Sequence, residues 1–320
     1  MARVAVAWND DVDLKPHLNE FERIGDAEVA ASAREAAWLL GATLVPVRGV
    51  AEALRVLRGF DVVVDLCEGV LGNPRFEKNF ALALEMLGIA HTSCDPIAVA
   101  LCTDKIAVKR LLRAAGLPTP RSYASPAEAP PGTYIVKPAW EDAGIGIERS
   151  AVVSTGAALE ERCALIESRF RQPALIEEFV AGREFNQALY CGTLLPPGEI
   201  VFGEALRPEE RVVGWREKWD EGSAEDRATV NVTPAEIDVA TRDEIGRICL
   251  TASELLGLDM AVRFDLRQSS HTGVMDIVDI NPNPDLGSHS GFRKALDAAG
   301  MLFSDFLNTL IIAGHARLRR

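Results

Sequence analysis

Four side chains between Met260 and Phe292 have the types and spacing to hold a metal ion and a developing negative charge. Arg263 and Asp265 lie two apart in one apolar stretch, and Asp279 and Asn281 lie two apart at the end of another. Side chains alternate along a strand, so each pair shares a face. The polar turn at 268–273 predicts that Ala261–Leu266 and Val274–Ile280 pair as a hairpin. Three oxygen ligands (Asp265, Asp279, Asn281) and one fixed cation (Arg263) then converge. Oxygen-only donors suit Mg²⁺, which keeps waters and takes phosphate oxygens as further ligands. An arginine beside them can hold the charge that builds up in phosphoryl or acyl transfer. The alternative is an ordinary hairpin with solvated charges, and the rest of the chain must decide between them.

The chain has 320 residues, enough for two domains or three small ones. Its composition, 48% apolar and 25% charged, is that of a packed globular protein. A net charge of −13 disfavours nucleic-acid binding, which needs a basic face. There is no apolar run of membrane-spanning length, and Met1–Asp10 is too short and wrongly ended for a signal peptide. The six cysteines are scattered without C-x-x-C pairs, which fits a reducing cytosol better than a zinc site or disulfide framework. The expected location is therefore cytoplasmic, with neither membrane nor nucleic acid as a partner. A protein this acidic must concentrate its positive charge on a few placed lysines and arginines if it binds phosphates.

Residues 1–97 alternate strand and helix. Val4–Trp8, Thr43–Val47, Asp61–Leu66 and Ile89–Thr92 read as strands, the third of the buried parallel kind. Asp26–Leu40, Val50–Arg58 and Phe76–Leu87 read as helices between them. This order predicts a small Rossmann-like sheet. No G-x-G-x-x-G follows the first strand, so a dinucleotide site is not expected. Ligands still collect at strand C-termini, which singles out Asn9-Asp10 and Cys67-Glu68-Gly69. Asp26 opens the first helix, where an acid serves equally well as a cap or as a ligand group.

Further on, Ser93–Gly116 reads as a turn and then one helix carrying Lys105 after Thr103-Asp104. Tyr134–Val136 is a strand running into Lys137-Pro138 and the loop Ala139–Gly146, whose backbone N–H groups could cover phosphates. Ser154–Arg171 is helical, as one element or two. Ala174–Val180 is an apolar strand holding Glu177, followed by Gly182-Arg183-Glu184-Phe185. Gln187–Cys191 and Ile200–Ala205 look like paired strands. The charged segment Arg207–Val230, with two tryptophans and Lys218, has the length and composition of a lid. Pro234–Leu256 and Gly300–Arg320 read as helices, and a shorter one at Gly291–Ala299 follows Ser288-His289-Ser290.

In this order the motifs resemble the ATP-grasp superfamily, in particular the D-alanine–D-alanine ligase family, over nearly the whole chain. The signature residues are Asp104-Lys105, Lys137-Pro138 with the glycine loop, Glu177, Gly182-x-Glu184-Phe185, Arg263-x-Asp265, Asp279-x-Asn281 and Ser288-His289-Ser290. The resemblance implies an α/β chain, α+β in its C-terminal half: an ATP-grasp fold preceded by the Rossmann-like domain. Its domains would be 1–97, 98–180 (the small ATP-grasp domain) and 181–320 (metal and substrate sites). It also implies an ADP-forming, Mg-ATP-dependent ligase that joins a carboxylate to an amine through an acyl phosphate, with Mn²⁺ as an alternative metal. In that reading Glu177 and Glu184 meet adenine and ribose, and Lys105, Lys137 and Lys218 meet phosphates. Asp265, Asp279 and Asn281 bind metal, while Arg263 and the backbone N–H of Asp285 hold the oxyanion. Ser290, before a helix N-terminus, takes a substrate carboxylate, and Asp26 faces an amino group.

The sequence departs from the family on the substrate side. The acid, serine and tyrosine that join across the closed lid in the family are matched here by Asp26, Ala143 and Trp219, and a histidine usual after the third strand is absent. Asp279 replaces a longer glutamate. Partners are thus expected to be small-molecule amino-acid or carboxylate substrates, not necessarily D-alanine, with a homodimer open. The rival readings are a ligase joining other amino acids in a specialised pathway and a regulatory nucleotide-binding module that does not turn over.

Overall fold

The computed structural model describes residues 2–15, 18, 24–214 and 227–319, with side chains from residue 27 onward in the first helix. Its first sheet is parallel, in the order β2-β1-β3-β4. The strands are β1 (Val4–Asn9), β2 (Thr43–Val47), β3 (Val62–Leu66) and β4 (Ala90–His91). Helices α1 (Ile24–Leu40), α2 (Val50–Leu57) and α3 (Glu77–Met86) make the crossovers. Every residue of β3 is buried, which is why it reads as a nearly unbroken apolar run.

The single helix expected after Ser93 is two helices, α4 (Pro96–Thr103) and α5 (Lys105–Ala114). Asp104 sits between them with extended backbone and accepts from the Ala107 N–H at 3.0 Å. Aspartate favours such caps because its carboxylate satisfies an N–H the helix cannot. The break places Lys105 at the first position of α5, where it is buried rather than solvated.

The second sheet is antiparallel, in the order β5-β8-β6-β7, from strands β5 (Ser122–Tyr123), β6 (Thr133–Pro138), β7 (Val152–Ser154) and β8 (Ala174–Glu178). Helix α6 (Ala157–Phe170) covers it through Leu159, Ile166 and Phe170 against Tyr134 and Val136. It starts later than the sequence suggests, because residues 152–154 are strand.

The third sheet has the order β12-β11-β9-β13-β14, with β10 attached to β9. Its strands are β9 (Gly182–Tyr190), β10 (Thr193–Leu194), β11 (Gly198–Phe202), β12 (Thr229–Val232), β13 (Ala261–Ser269) and β14 (Met275–Asn281). Glu184 therefore lies within a strand, and the end of the segment read as a lid is β12. Helix α7 (Val239–Leu256) begins after Asp238, whose side chain accepts from the Thr241 N–H at 2.7 Å, and not at Pro234. Helices α8 (Gly291–Ala298) and α9 (Phe303–Leu318) complete the chain.

Helix α9 returns to the first sheet and packs on β3 and β4, so one continuous core joins the two ends of the chain. Gly314 makes this possible, since a Cβ there would strike the His91 backbone. Among the described residues no single helix is long and apolar enough to cross a membrane. Helices α8 and α9 pass such a test only as a pair bent by 102°, and Phe306 and Leu307 of α9 are buried in the core.

Candidate active site

The second and third sheets face each other across a cavity of about 500 Å³. Lys137, Glu177 and the loop residues Glu141–Gly144 line it from the second sheet. Glu184, Arg263, Asp265, Arg267, Asp279 and Asn281 line it from the third, and Ser290 stands at its end. The two strands of the hairpin place their groups in register, with Asp265 opposite Asp279 and Arg263 opposite Asn281. Arg263 grips Asp265 with two bonds, Nε to Oδ1 at 2.8 Å and Nη2 to Oδ2 at 3.0 Å. Asn186 Nδ2 adds a third bond to Oδ1 at 2.8 Å. Burial opposes the charge on Arg263, but Asp265 outweighs it and the guanidinium is held more firmly protonated than usual.

Beyond Asp279 the register slips by one residue: Asp265 pairs with Asp279 but Leu266 with Ile277, leaving Val278 as a β-bulge. The bulge turns two carbonyls out of the ladder. Lys137 Nζ donates to the Val278 carbonyl at 3.1 Å, and Lys109 Nζ to that of Ile277 at 3.1 Å. Thr119 Oγ1 donates to the same Ile277 carbonyl at 2.9 Å, and the Ile277 N–H donates to Pro118 O at 3.0 Å.

Three lysines and three carboxylates interlock behind this edge. Lys105 Nζ lies 2.6 Å from Asp142 Oδ1 and 3.3 Å from Asp279 Oδ1. Glu177, 1% exposed, receives Lys109 at 2.5 Å on one oxygen and Lys137 at 3.3 Å on the other. The Lys109 contact is an ion pair off the hydrogen-bonding direction, since Oε1 has no properly angled donor. In Lys105, Asp279, Asp142 and Lys109 burial disfavours the charge and neighbouring charges oppose that effect. For Lys105 the two aspartates win, and its pKa is raised. For Asp279 the three lysines win, and its pKa is lowered. For Asp142 burial wins and the carboxyl is raised; for Lys109 burial wins and the ammonium is lowered.

The structure thus gathers Lys137, Glu177, Glu184, Arg263, Asp265, Asp279, Asn281 and Ser290 around one cavity. Lys105 stands behind its wall, against Asp142 and Asp279. Glu177 lines the cavity with both of its oxygens facing lysines. The Asp26 side chain, Lys218 and Trp219 lie outside the described residues. Three members escaped the sequence reading. Lys109 is one turn beyond Lys105 and shares its face. Arg267, 5% exposed, continues the alternation of Arg263 and Asp265 and reaches Glu184 at 3.0 Å. Asp142 sits in the glycine loop. The spacing of the first two was a usable signal; their burial was not visible.

Asp265, Asp279 and Asn281 fit Mg²⁺ by donor type, being hard oxygens on two adjacent rigid strands. Among the described residues no group of three or more His, Cys, Asp or Glu side chains could hold a metal alone. Phosphate and water oxygens would have to complete the shell, as Mg²⁺ prefers. The loop over the site is tight: Ala143, Gly144 and Gly146 all have positive φ. At Gly146 a Cβ would come within 2.7 Å of the Pro138 ring, so the loop could not fold down with a larger residue.

Residues 131–312, more than half of the chain, match the family model described as "D-ala D-ala ligase C-terminus". A D-alanine–D-alanine ligase of Verminephrobacter eiseniae is 31% identical over 72% of this chain and 69% of its own length. One from Gluconobacter oxydans is 28% identical over 79% of this chain and 82% of its own length. The crystal structure of the Bacillus anthracis D-alanine–D-alanine ligase superposes with a TM-score of 0.75, 18% identity and coverage of 100% and 99% of the two chains. The VanG D-Ala:D-Ser ligase from Enterococcus faecalis superposes with a TM-score of 0.67, also at 18% identity, over 98% and 100%. The fold is shared at that distance.

Proposed function

The chain belongs to the D-alanine–D-alanine ligase family of ATP-grasp ligases, and on that premise we propose that it is an ADP-forming carboxylate–amine ligase working through an acyl phosphate. The observation that carries this reading is one cavity lined by Lys137, with the buried lysines behind it, on one side and by Arg263 with oxygen-only donors on the other. Ile135, Val180, Ile200 and Val278 offer apolar walls to a nucleobase. Glu184, backed by Arg267, is placed for ribose hydroxyls. Lys137 and the loop at 141–147 take the phosphates. Lys105 acts from behind by fixing Asp142 and Asp279, and Glu177 orients Lys137 and, with the backbone beside it, meets the base.

Asp265, Asp279 and Asn281 would hold Mg²⁺, or Mn²⁺ in its place, which supplies charge neutralisation at the phosphates when bound. A donor carboxylate oxygen attacks the γ-phosphorus and ADP leaves. An amine then attacks the acyl carbon, and inorganic phosphate leaves from the tetrahedral intermediate. Arg263 and the Asp285 N–H hold the oxyanion in that step. The Ser290 oxygen already accepts from the Arg293 N–H at 3.1 Å, so its hydroxyl proton is available to the acceptor's carboxylate. Asp26 is assigned to a substrate amino group and Lys218 to the lid side of the phosphates. The substrates are small amino acids or carboxylates. Oxygen-18 placed in the donor acid should appear in phosphate, with ADP as the nucleotide product. Release of AMP and pyrophosphate would show adenylation and overturn the mechanism.

A further inference from the structure

The cations that line the cavity are not equivalent. Lys137 faces Glu177 at 3.3 Å, Arg263 faces Asp265 at 2.8 Å, and Arg267 faces Glu184 at 3.0 Å. Lys294 also lines the cavity, half-buried, yet among the described residues it meets no carboxylate. Its neighbour Arg293 is fully engaged, bound to Glu35 on α1 and to the Leu286 carbonyl at 3.1 Å. That latch holds α1 and α8 together at the end of the cavity where Ser290 and Lys294 stand. Across it Glu28 of α1, also without an ion pair among the described residues, lines the same space.

Lys294 lies one turn after Ser290, and helical side chains lean back toward the N-terminus. Its stem therefore overhangs the turn that carries Ser290. Gly291 keeps that surface clear and lets the Asn231 and Asn186 amides close in, since a Cβ there would lie 3.0 Å and 3.4 Å from them. The groups at this end that can meet an acceptor's acid groups are then the Ser290 hydroxyl and, one helical turn on, the Lys294 ammonium. Glu28 and Asp285, which line the same space without an ion pair among the described residues, are carboxylates and pair with neither acid group. An amino acid with an apolar side chain has a carboxylate for Ser290 only. An amino dicarboxylic acid has one carboxylate for Ser290 and another for Lys294, with its amine left free to attack.

Resting on the ligase reading above, we propose that Lys294 is a specificity residue that selects an acceptor amino acid with an acidic side chain. Binding separates this idea from the ligase reading. Titration calorimetry of the full chain, saturated with ADP and Mg²⁺, should show D- or L-aspartate or glutamate binding about tenfold tighter than the matching amide. Asparagine and glutamine keep the shape and lack the charge, so the ratio reports the ion pair alone. In Lys294→Met that ratio should fall to about one while ADP affinity is unchanged. Equal binding of acid and amide by the native chain would overturn the proposal, whether or not any pair is turned over. So would a Lys294→Met variant that weakens every amino acid alike, or a ratio lost in His289→Gln, which alters the other basic side chain at this end, but kept in Lys294→Met. Failure of all amino-acid pairs to release ADP would instead count against the ligase reading.

Discussion

At the nucleotide end of the cavity every described cation touches a carboxylate, whereas at the α1–α8 end Glu28 and Lys294 touch none. The first arrangement is pre-organised: Lys105, Lys109, Lys137, Glu177 and Asp279 hold one another in place before any ligand arrives. The second leaves its charges to be satisfied by whatever binds. In the proposed reading, activation chemistry, common to many substrates, is built on locked groups, and selectivity on loose ones. Electrostatic stabilisation depends on groups that need not reorganise during reaction, while discrimination depends on groups left unpaired by the wrong partner.

This contrast can be broken most severely at Asp279, the carboxylate shared by the lysine cluster and the metal ligands. Asp279→Asn should lower the rate of ADP release by about a thousandfold, or roughly 4 kcal/mol in the barrier, and weaken Mg²⁺ dependence. An unchanged rate and metal dependence would remove Asp279 from the site. Next is the locked character itself. Lys109→Met leaves Glu177 buried with one counter-charge fewer and should cost about 3 kcal/mol in urea unfolding. Adding Glu177→Gln to that variant should recover much of the loss. A double variant as weak as the single one would mean that the pair is not the origin of the cost.

The smallest effect concerns Asp276, beside the cluster but outside it. Burial pushes its carboxyl up to about 6, with Lys109 opposing and Glu177 and Glu178 assisting. A raised carboxyl binds its proton more readily in the folded state, so stability falls as pH rises from the ordinary carboxylate value through about 6, then levels. Asp276→Asn should therefore be more stable than the native chain at pH 7, by about 1 kcal/mol after solvent screening, and no more stable at pH 4. A gain of equal size at both pH values would assign it to packing instead.

How much of this was legible in the sequence depended on whether the signal was local. The hairpin was visible because alternation and a polar turn are nearest-neighbour properties, whereas the register of Asp265 with Asp279 is set by the bulge: continued from Gln268 and Met275 without it, Asp265 would meet Val278. The parallel strand β3 was visible for the same reason. The break at Asp104 could have been read, since Thr103-Asp104-Lys105 places a capping acid before a helix. What could not be read was which helical charges turn inward. Lys105 and Lys109 are buried while Arg110 and Arg113 on the same helix are not, and the second and third sheets, distant in sequence, make that difference. Glu184 lies inside the strand Gly182–Tyr190, which the sequence pattern marks only from Gln187 onward. The bulge at Val278 left only a faint mark: Ile277 and Val278 are consecutive apolar residues between Asp276 and Asp279, so the alternation of this strand is less clean than that of its partner.

That bulge has a mechanical consequence. The second sheet and α5 are fastened to the third sheet at the carbonyls of Ile277 and Val278, by Thr119, Lys109 and Lys137. With the Lys105 bridge from Asp142 to Asp279 beside them, these bonds form one short seam between the sheets. All three are accepted by main-chain carbonyls, so exchanging the side chains at 277 and 278 leaves the seam its acceptors.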